Sequence, residues 1–107
     1  MPSPPNTFGK RLLAARKSRG LRQEDLGRLI GLDDVNTGAP RISRYERGLH
    51  TPDPETAEAL ATALELPLAY FYAASDPLAE AILVIARLPH EKQIEALEAL
   101  KRIATSR

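Results

Sequence analysis

Apolar residues recur along the chain at helical spacing, so that each segment has one hydrophobic face. The first such segment runs from Thr7, as its cap, to about residue 18, with Phe8, Leu12 and Ala15 on the inner face. No segment shows the strict alternation of apolar and polar residues that is typical of a strand. The pattern therefore predicts an all-α chain.

Glycine and proline residues mark the ends of the predicted helices. Gly31 and Gly48 are expected to end the second and third helices, and Pro40 suits the first turn of the third. Asp53 is expected to cap a fourth helix that Pro54 starts. The seven predicted helices span about residues 7–18, 23–30, 39–47, 54–64, 68–73, 76–88 and 89–104.

Charge is divided unevenly along the 107 residues, although the net charge is only +1. Residues 1–52 have ten Lys/Arg and five Asp/Glu, hence 10 − 5 = +5, whereas residues 53–107 have five and nine, hence 5 − 9 = −4. A basic half followed by an acidic half favours a module that binds a polyanion and a second segment with another task. Chance unevenness is the alternative.

The chain has few of the residues that a metal site or a catalytic site requires. There are no cysteines, and His50 and His90 lie far apart without a second ligand at metal spacing, so we expect neither a metal nor a cofactor. No paired carboxylates, Ser/His/Asp set or glycine-rich phosphate loop is present, which argues against an enzyme. No apolar run approaches the length of a membrane span and no signal peptide is apparent, so we expect a cytoplasmic protein.

The run Arg41–Gly48 places an arginine at every third position. On a helix, Arg41, Arg44 and Arg47 form one slowly rotating stripe, and Ile42 and Tyr45 form a neighbouring face directed to a core. A short helix of this kind can lie in a groove of nucleic acid. An ordinary solvated basic face is the alternative.

Four segments in this order resemble the phage-repressor-like helix-turn-helix family, also called the Cro or XRE type. The segments are residues 8–16, 20–26, 42–48 and 52–61. The resemblance implies a five-helix lambda-repressor-like DNA-binding domain over residues 7–73, whose third helix enters the major groove of double-stranded DNA. Residues 1–6 are expected to be a flexible arm, and residues 74–107 a C-terminal helical hairpin.

The resemblance also implies roles for single side chains. Arg44 occupies a position that often reads bases, and arginine suits guanine O6 and N7. The other predicted base-reading residues are Arg41, Ala39 and Pro40. The predicted phosphate contacts are Gln23 at the start of the second helix, Arg22, Ser43 and Arg47.

Arg16 and Glu46 are expected to have a structural role instead. In the family, the matching residues form a partly buried ion pair between the first and third helices. We therefore prefer this pairing to a DNA contact for both residues.

One departure from the family concerns the segment between Gly31 and Ile42, which is several residues longer than in most members. We expect residues 32–38 to form a long acidic loop that turns away from the DNA phosphates. The alternatives are a contact with a partner and a shifted recognition helix.

The C-terminal segment has more apolar surface than one hairpin can cover, because its first helix is apolar on more than one face. We expect it to mediate a homodimer that binds a palindromic operator, with packing on the DNA-binding domain as the alternative. The predicted dimer-interface residues are Ile82, Leu83, Ile85, Ile94, Leu97 and Leu100.

The sequence thus predicts a sequence-specific transcriptional regulator, a repressor, without catalytic activity. The competing interpretation is an antitoxin or adaptor that uses the same domain to bind a protein partner.

Overall fold

The computed structural model describes residues 7–106, and the predicted flexible arm, residues 1–6, lies outside them. The described chain is all-helical, which confirms the predicted fold class. Its elements are α1 (Thr7–Ser18), α2 (Gln23–Leu29), α3 (Val35–Glu46), α4 (Pro54–Leu64), a 3-10 helix (Leu68–Tyr72), α5 (Asp76–Arg87) and α6 (His90–Thr105).

The inner faces of α1 to α4 and the 3-10 helix form one hydrophobic core. The centre of the Phe8 ring lies 5.2 Å from the ring centre of Phe71 and 5.3 Å from that of Tyr72. The 3-10 helix therefore packs directly on α1. Each large side chain buried in this way stabilises the fold by about 1.5–3 kcal/mol. The largest fully buried side chains are Leu12, Leu26, Ile42, Leu60, Leu64 and Phe71.

Glycine residues and a capping aspartate mark the helix ends close to the predicted positions. Gly20, Gly31 and Gly48 follow α1, α2 and α3 with positive φ angles, which glycine adopts without strain. Asp53 caps α4 by accepting a hydrogen bond of 2.7 Å from the backbone N–H of Thr56.

The start of α3 differs from the prediction. The helix begins at Val35, not at Ala39 or Pro40, so residues 35–38 are its first turn and the expected long loop over residues 32–38 is wrong. Asp34 caps the helix by accepting a hydrogen bond of 2.9 Å from the backbone N–H of Asn36. Pro40 lies inside the helix rather than in its first turn, and it cannot donate a bond to the carbonyl four residues earlier.

A close crossing of α2 and α3 explains why Gly38 is a helical residue and not a turn residue. Gly27 and Gly38 are both buried, and a Cβ placed on Gly27 would lie 3.1 Å from the Gly38 Cα. A Cβ on Gly38 would lie 2.9 Å from the Leu32 carbonyl oxygen. The two backbones therefore approach as closely as they do because neither position has a side chain.

The C-terminal segment has little buried surface in the single chain. Ser75 caps α5 by accepting a hydrogen bond from the Leu78 N–H, and Ala79 is the only residue of α5 that is fully buried. No residue of α6 is buried, and all residues from Leu100 to the end of the helix are exposed. The Gln93 amide joins the two helices near their turn by donating to the Ile85 carbonyl at 2.8 Å. Within residues 7–106, no helix has the length and apolar character to cross a membrane.

We predict that Gly38→Ala lowers the free energy of unfolding by about 1–3 kcal/mol, because the new Cβ meets the Leu32 carbonyl in a packed crossing. Intrinsic helix propensity alone would raise the free energy of unfolding instead, since alanine is favoured over glycine in a helix by about 1 kcal/mol. Urea unfolding followed by circular dichroism measures the difference. Thr37→Ala, at an exposed position of the same helix, is the control, and an unchanged or raised stability of Gly38→Ala would contradict the crossing.

Candidate nucleic-acid interface

One face of α3 lies beside the start of α2 and forms a shallow open groove of about 460 Å³. The residues of α3 that line it are three or four positions apart, as one helical face requires. Six of the eight residues predicted to contact DNA are brought together here, and Asn36 lies with them. The lining residues are Gln23, Asn36, Ala39, Pro40, Ser43, Arg44 and Arg47.

The two arginines of this groove differ in the hydrogen bonds of their side chains. Arg47 donates from Nε to the hydroxyl of Ser43, one helical turn earlier, at 3.2 Å. Arg44 is exposed, and its guanidinium has no hydrogen bond or ion pair with any other residue in the described part of the chain. The donors of Arg44 are therefore available to an acceptor from outside the protein.

Arg41 lies on a different side of α3. It lines a second hollow, towards α4, together with Glu55 and Thr56. Hydrogen bonds from Thr56 hold the pKa of Asp53 below its usual value, and the charge of Arg41 lowers it further. The stripe of three arginines predicted from the sequence is thus divided between two hollows, and base reading by Arg41 stays a prediction.

Arg22 lies outside the groove, at the start of α2. Its backbone N–H donates to Asp25 at 2.8 Å, and its side chain donates twice to the same carboxylate at 3.1 Å. Arg28 adds a further bond of 3.0 Å. These bonds, those from Arg22 first, lower the pKa of Asp25 to about 2. Any contact of Arg22 with a phosphate must therefore compete with Asp25.

An ion pair between Arg16 of α1 and Glu46 of α3 lies behind the groove. Arg16 donates from Nε to Oε2 of Glu46 at 2.6 Å and from Nη2 to Oε1 at 3.1 Å. Its remaining Nη1 donates to the Leu21 carbonyl at 2.8 Å. The side chains of Arg16 and Glu46 are only 11% and 4% exposed, so this is a buried, bidentate pair.

Gln23 connects this ion pair to the groove. Its Nε2 donates to Oε1 of Glu46 at 2.9 Å. Sequence reasoning assigned Gln23 to a phosphate and did not foresee this bond. An amide nitrogen has two donor hydrogens, so Gln23 can hold Glu46 with one and still offer the other to a phosphate.

Asn36 is the residue of the groove that sequence reasoning missed, because it was placed in the expected loop. It is exposed, and it belongs to the first turn of α3. The signal that could have found it is Asp34, since aspartate is a favoured N-cap and the helix begins immediately after it.

The predicted dimer residues lie on the two C-terminal helices. Ile82, Leu83 and Ile85 of α5 are half-buried in the single chain. On α6 the apolar side chains recur every third position and are about half exposed or more, at 50% for Ile94, 50% for Leu97, 47% for Leu100 and 69% for Ile103. Ile103 was not among the predicted residues, although it continues the same series.

No group of histidine, cysteine, aspartate or glutamate residues that could hold a metal ion occurs between residues 7 and 106. The face described above offers hydrogen-bond donors and a positive charge, which suits a phosphate backbone and the edges of bases.

Comparison with known proteins agrees with this geometry. A helix-turn-helix family model matches residues 12–71. The crystal structure of the transcriptional regulator BswR is similar, with 39% sequence identity, a TM-score of 0.78 and coverage of 88% of this chain and 92% of that one. No curated protein matches the chain.

We predict that Glu46→Ala lowers the free energy of unfolding by about 3–5 kcal/mol, because it leaves the buried Arg16 without its counter-charge. The double change Arg16→Met and Glu46→Met should cost less than Glu46→Ala alone, since it removes both charges. Chemical denaturation measures both values. Glu98→Ala, at an exposed position of α6, is the control, and a loss below about 1 kcal/mol for Glu46→Ala would show that the pair does not hold α3.

Proposed function

The chain belongs to the Cro/XRE-type helix-turn-helix family of DNA-binding transcription regulators, and from this premise we propose that it is a repressor that inserts α3 into the major groove as a homodimer. The observation that carries the proposal is the open face of α3 with the unpaired guanidinium of Arg44. Family membership also points to a regulator that is not an enzyme.

Base reading is assigned to the residues along the middle of this face. Arg44 has the donors for guanine O6 and N7, and the methyl group of Ala39 suits the methyl group of thymine. Pro40 offers only an apolar surface. We add Asn36 to these readers, because the first residues of a recognition helix reach base edges and asparagine pairs with adenine N6 and N7. Arg41 is assigned to bases at the edge nearest α4.

Phosphate binding is assigned to the rim of the same face. Gln23 lies at the start of α2, where free backbone N–H groups favour an anion. Ser43 and Arg47 form a hydrogen-bonded pair one turn apart, and both lie on the groove. Arg22 would join them where a phosphate displaces it from Asp25. Such contacts orient the protein on the duplex without specifying the sequence.

Dimerisation is assigned to α5 and α6. The apolar series from Ile94 to Ile103 is exposed in the single chain, and a second copy would cover it. A twofold dimer would present two recognition helices to half-sites about 34 Å apart, which suits a palindromic operator.

The alternative function, an antitoxin or adaptor that binds a protein partner, has less support than the sequence suggested. It relied on the long loop over residues 32–38 and on the apolar first helix of the C-terminal segment, and residues 35–38 of that loop are the first turn of α3. The apolar surface of α5 and α6 remains available to either function.

We predict different effects for two arginines of the groove. Arg44→Ala should cost about 1–3 kcal/mol on the preferred site and relax its sequence preference, because a base-reading contact is lost. Arg47→Ala should weaken binding to all sequences alike and reduce the slope of log K against log salt by about one. Fluorescence anisotropy at two salt concentrations, on duplexes that the wild-type protein selects from a randomised library, measures both effects.

Lys92→Ala on α6 is the control, since this cation is not among the residues that line the groove and its loss should leave DNA binding unchanged. Failure of the wild-type protein to select any sequence would overturn the DNA-reading proposal. Transcription in vitro from a promoter that overlaps the selected site tests repression, and a raised transcript level would contradict it.

We predict that Leu97→Asp, alone or with Leu100→Asp, converts the dimer into a monomer, because a carboxylate enters the apolar interface. The monomer should keep its helical content, since both leucines are about half exposed in the single chain. Sedimentation velocity measures the mass of the particle and so distinguishes the dimer from the monomer. Arg102→Asp places the same carboxylate on the opposite face of α6 and should stay dimeric, whereas a monomeric wild type would refute the assignment.

A further inference from the structure

Arg11 of α1 is a charged residue that the proposed DNA contacts do not use. It is only 7% exposed, and the centre of its guanidinium lies 5.7 Å from the centre of the Tyr70 ring. Its Nη1 donates to Oδ1 of Asp76 at 2.8 Å, and its Nη2 donates to the Ala73 carbonyl at 3.0 Å. A buried arginine with two directed bonds fixes the position of the groups that it contacts.

The two acceptors of Arg11 lie on either side of a joint. Ala73 is the residue after the 3-10 helix, which packs on α1, and Asp76 is the first residue of α5. Ala74 and Ser75 alone separate them. One guanidinium therefore holds both ends of the linker between the DNA-binding helices and the C-terminal helices.

Other contacts also cross the joint, because Glu80, Leu83 and Arg87 of α5 line a hollow together with residues of α1 and α4. Lys10 lies 3.7 Å from the same carboxylate of Asp76, and Ala79 is the only fully buried residue of α5. Hydrogen bonding from Arg11, followed by the charge of Lys10, lowers the pKa of Asp76 below its usual value. The carboxylate of Asp76 thus joins the start of α5 to Arg11 and Lys10 of α1, in addition to the packing of the rest of the helix.

The same helix also holds α3. Arg16 of α1 binds Glu46 of α3, and Arg11 lies five residues earlier on α1. A continuous series of contacts therefore leads from the face of α3, through α1, to the start of α5.

We propose that Arg11 and Asp76 form a clamp that fixes the direction of α5 relative to α3, and thereby sets the distance between the two half-sites that the dimer binds. The inference rests on the proposed homodimer. With a lever arm of about half the 53 Å length of the described chain, a rotation of about 10° at the joint would displace a recognition helix by roughly 4–5 Å, more than the rise of about 3.4 Å per base pair.

The experiment measures the preference for half-site spacing. A half-site selected by the wild-type protein is placed in inverted pairs whose separation changes by one base pair at a time. The wild type should favour one separation by about tenfold or more over those two base pairs away, and Asp76→Ala should reduce this preference to about threefold or less. Binding of both proteins to a single half-site should be equal. Glu91→Ala, which removes an exposed carboxylate from α6, is the matched control and should keep the wild-type profile.

A second measurement does not depend on DNA. Because the chain has no cysteine, Thr62→Cys on the exposed side of α4 gives one spin label per protomer. Electron spin resonance distances between the two labels should form one narrow distribution in the wild-type background and a broad one with Asp76→Ala. Asp76→Asn, which keeps the side-chain shape, should also broaden it.

The outcomes separate the clamp from the dimer. A wild-type spacing profile and a narrow distance distribution in both Asp76 variants would overturn the clamp and leave the dimer intact. A wild type that is monomeric, or that has no spacing preference, would overturn both proposals.

Discussion

The buried ion pair between Arg16 and Glu46 determines where the exposed face of α3 lies. Burying two charges costs several kcal/mol of solvation for each ion, and the pair offsets this cost through its bidentate geometry and through bonds to Leu21 and Gln23. Because its members lie on α1, the start of α2 and the end of α3, the cluster can be satisfied only when these three segments are correctly placed. The groove on α3 is a consequence of that arrangement.

The helical periodicity that made the fold predictable also made most of the groove predictable. Residues three and four positions apart share a face once the helix is known, so Ala39, Ser43, Arg44 and Arg47 could be grouped from the sequence. The start of α3 was missed, because Gly38 and Pro40 resemble helix-boundary signals and the setting of Gly38 depends on a residue of another helix, Gly27. Tertiary contact decides between a glycine that ends a helix and one that permits a crossing.

The partners of long polar side chains were less predictable than their positions. Gln23 and Arg22 were correctly placed at the start of α2, yet each donates to a carboxylate that the sequence did not identify as its acceptor. A flexible side chain selects among acceptors within about 3 Å, and this choice depends on the relative placement of helices. For the same reason Arg11 looked like one cation among many, although it joins α1 to the start of α5 across more than sixty residues.

The residues that hold α3 in place and those that it exposes are different members of one short helix. Gly38, Ile42 and Glu46 follow one another at intervals of four and face the protein, whereas Asn36, Ala39 and Arg44 face outward. A change of the exposed side chain of Asn36 or Arg44 therefore removes no hydrogen bond or ion pair that the described residues form within the fold. Evolution can accordingly explore new binding preferences by single substitutions in this regulator without first having to acquire compensating changes in its interior.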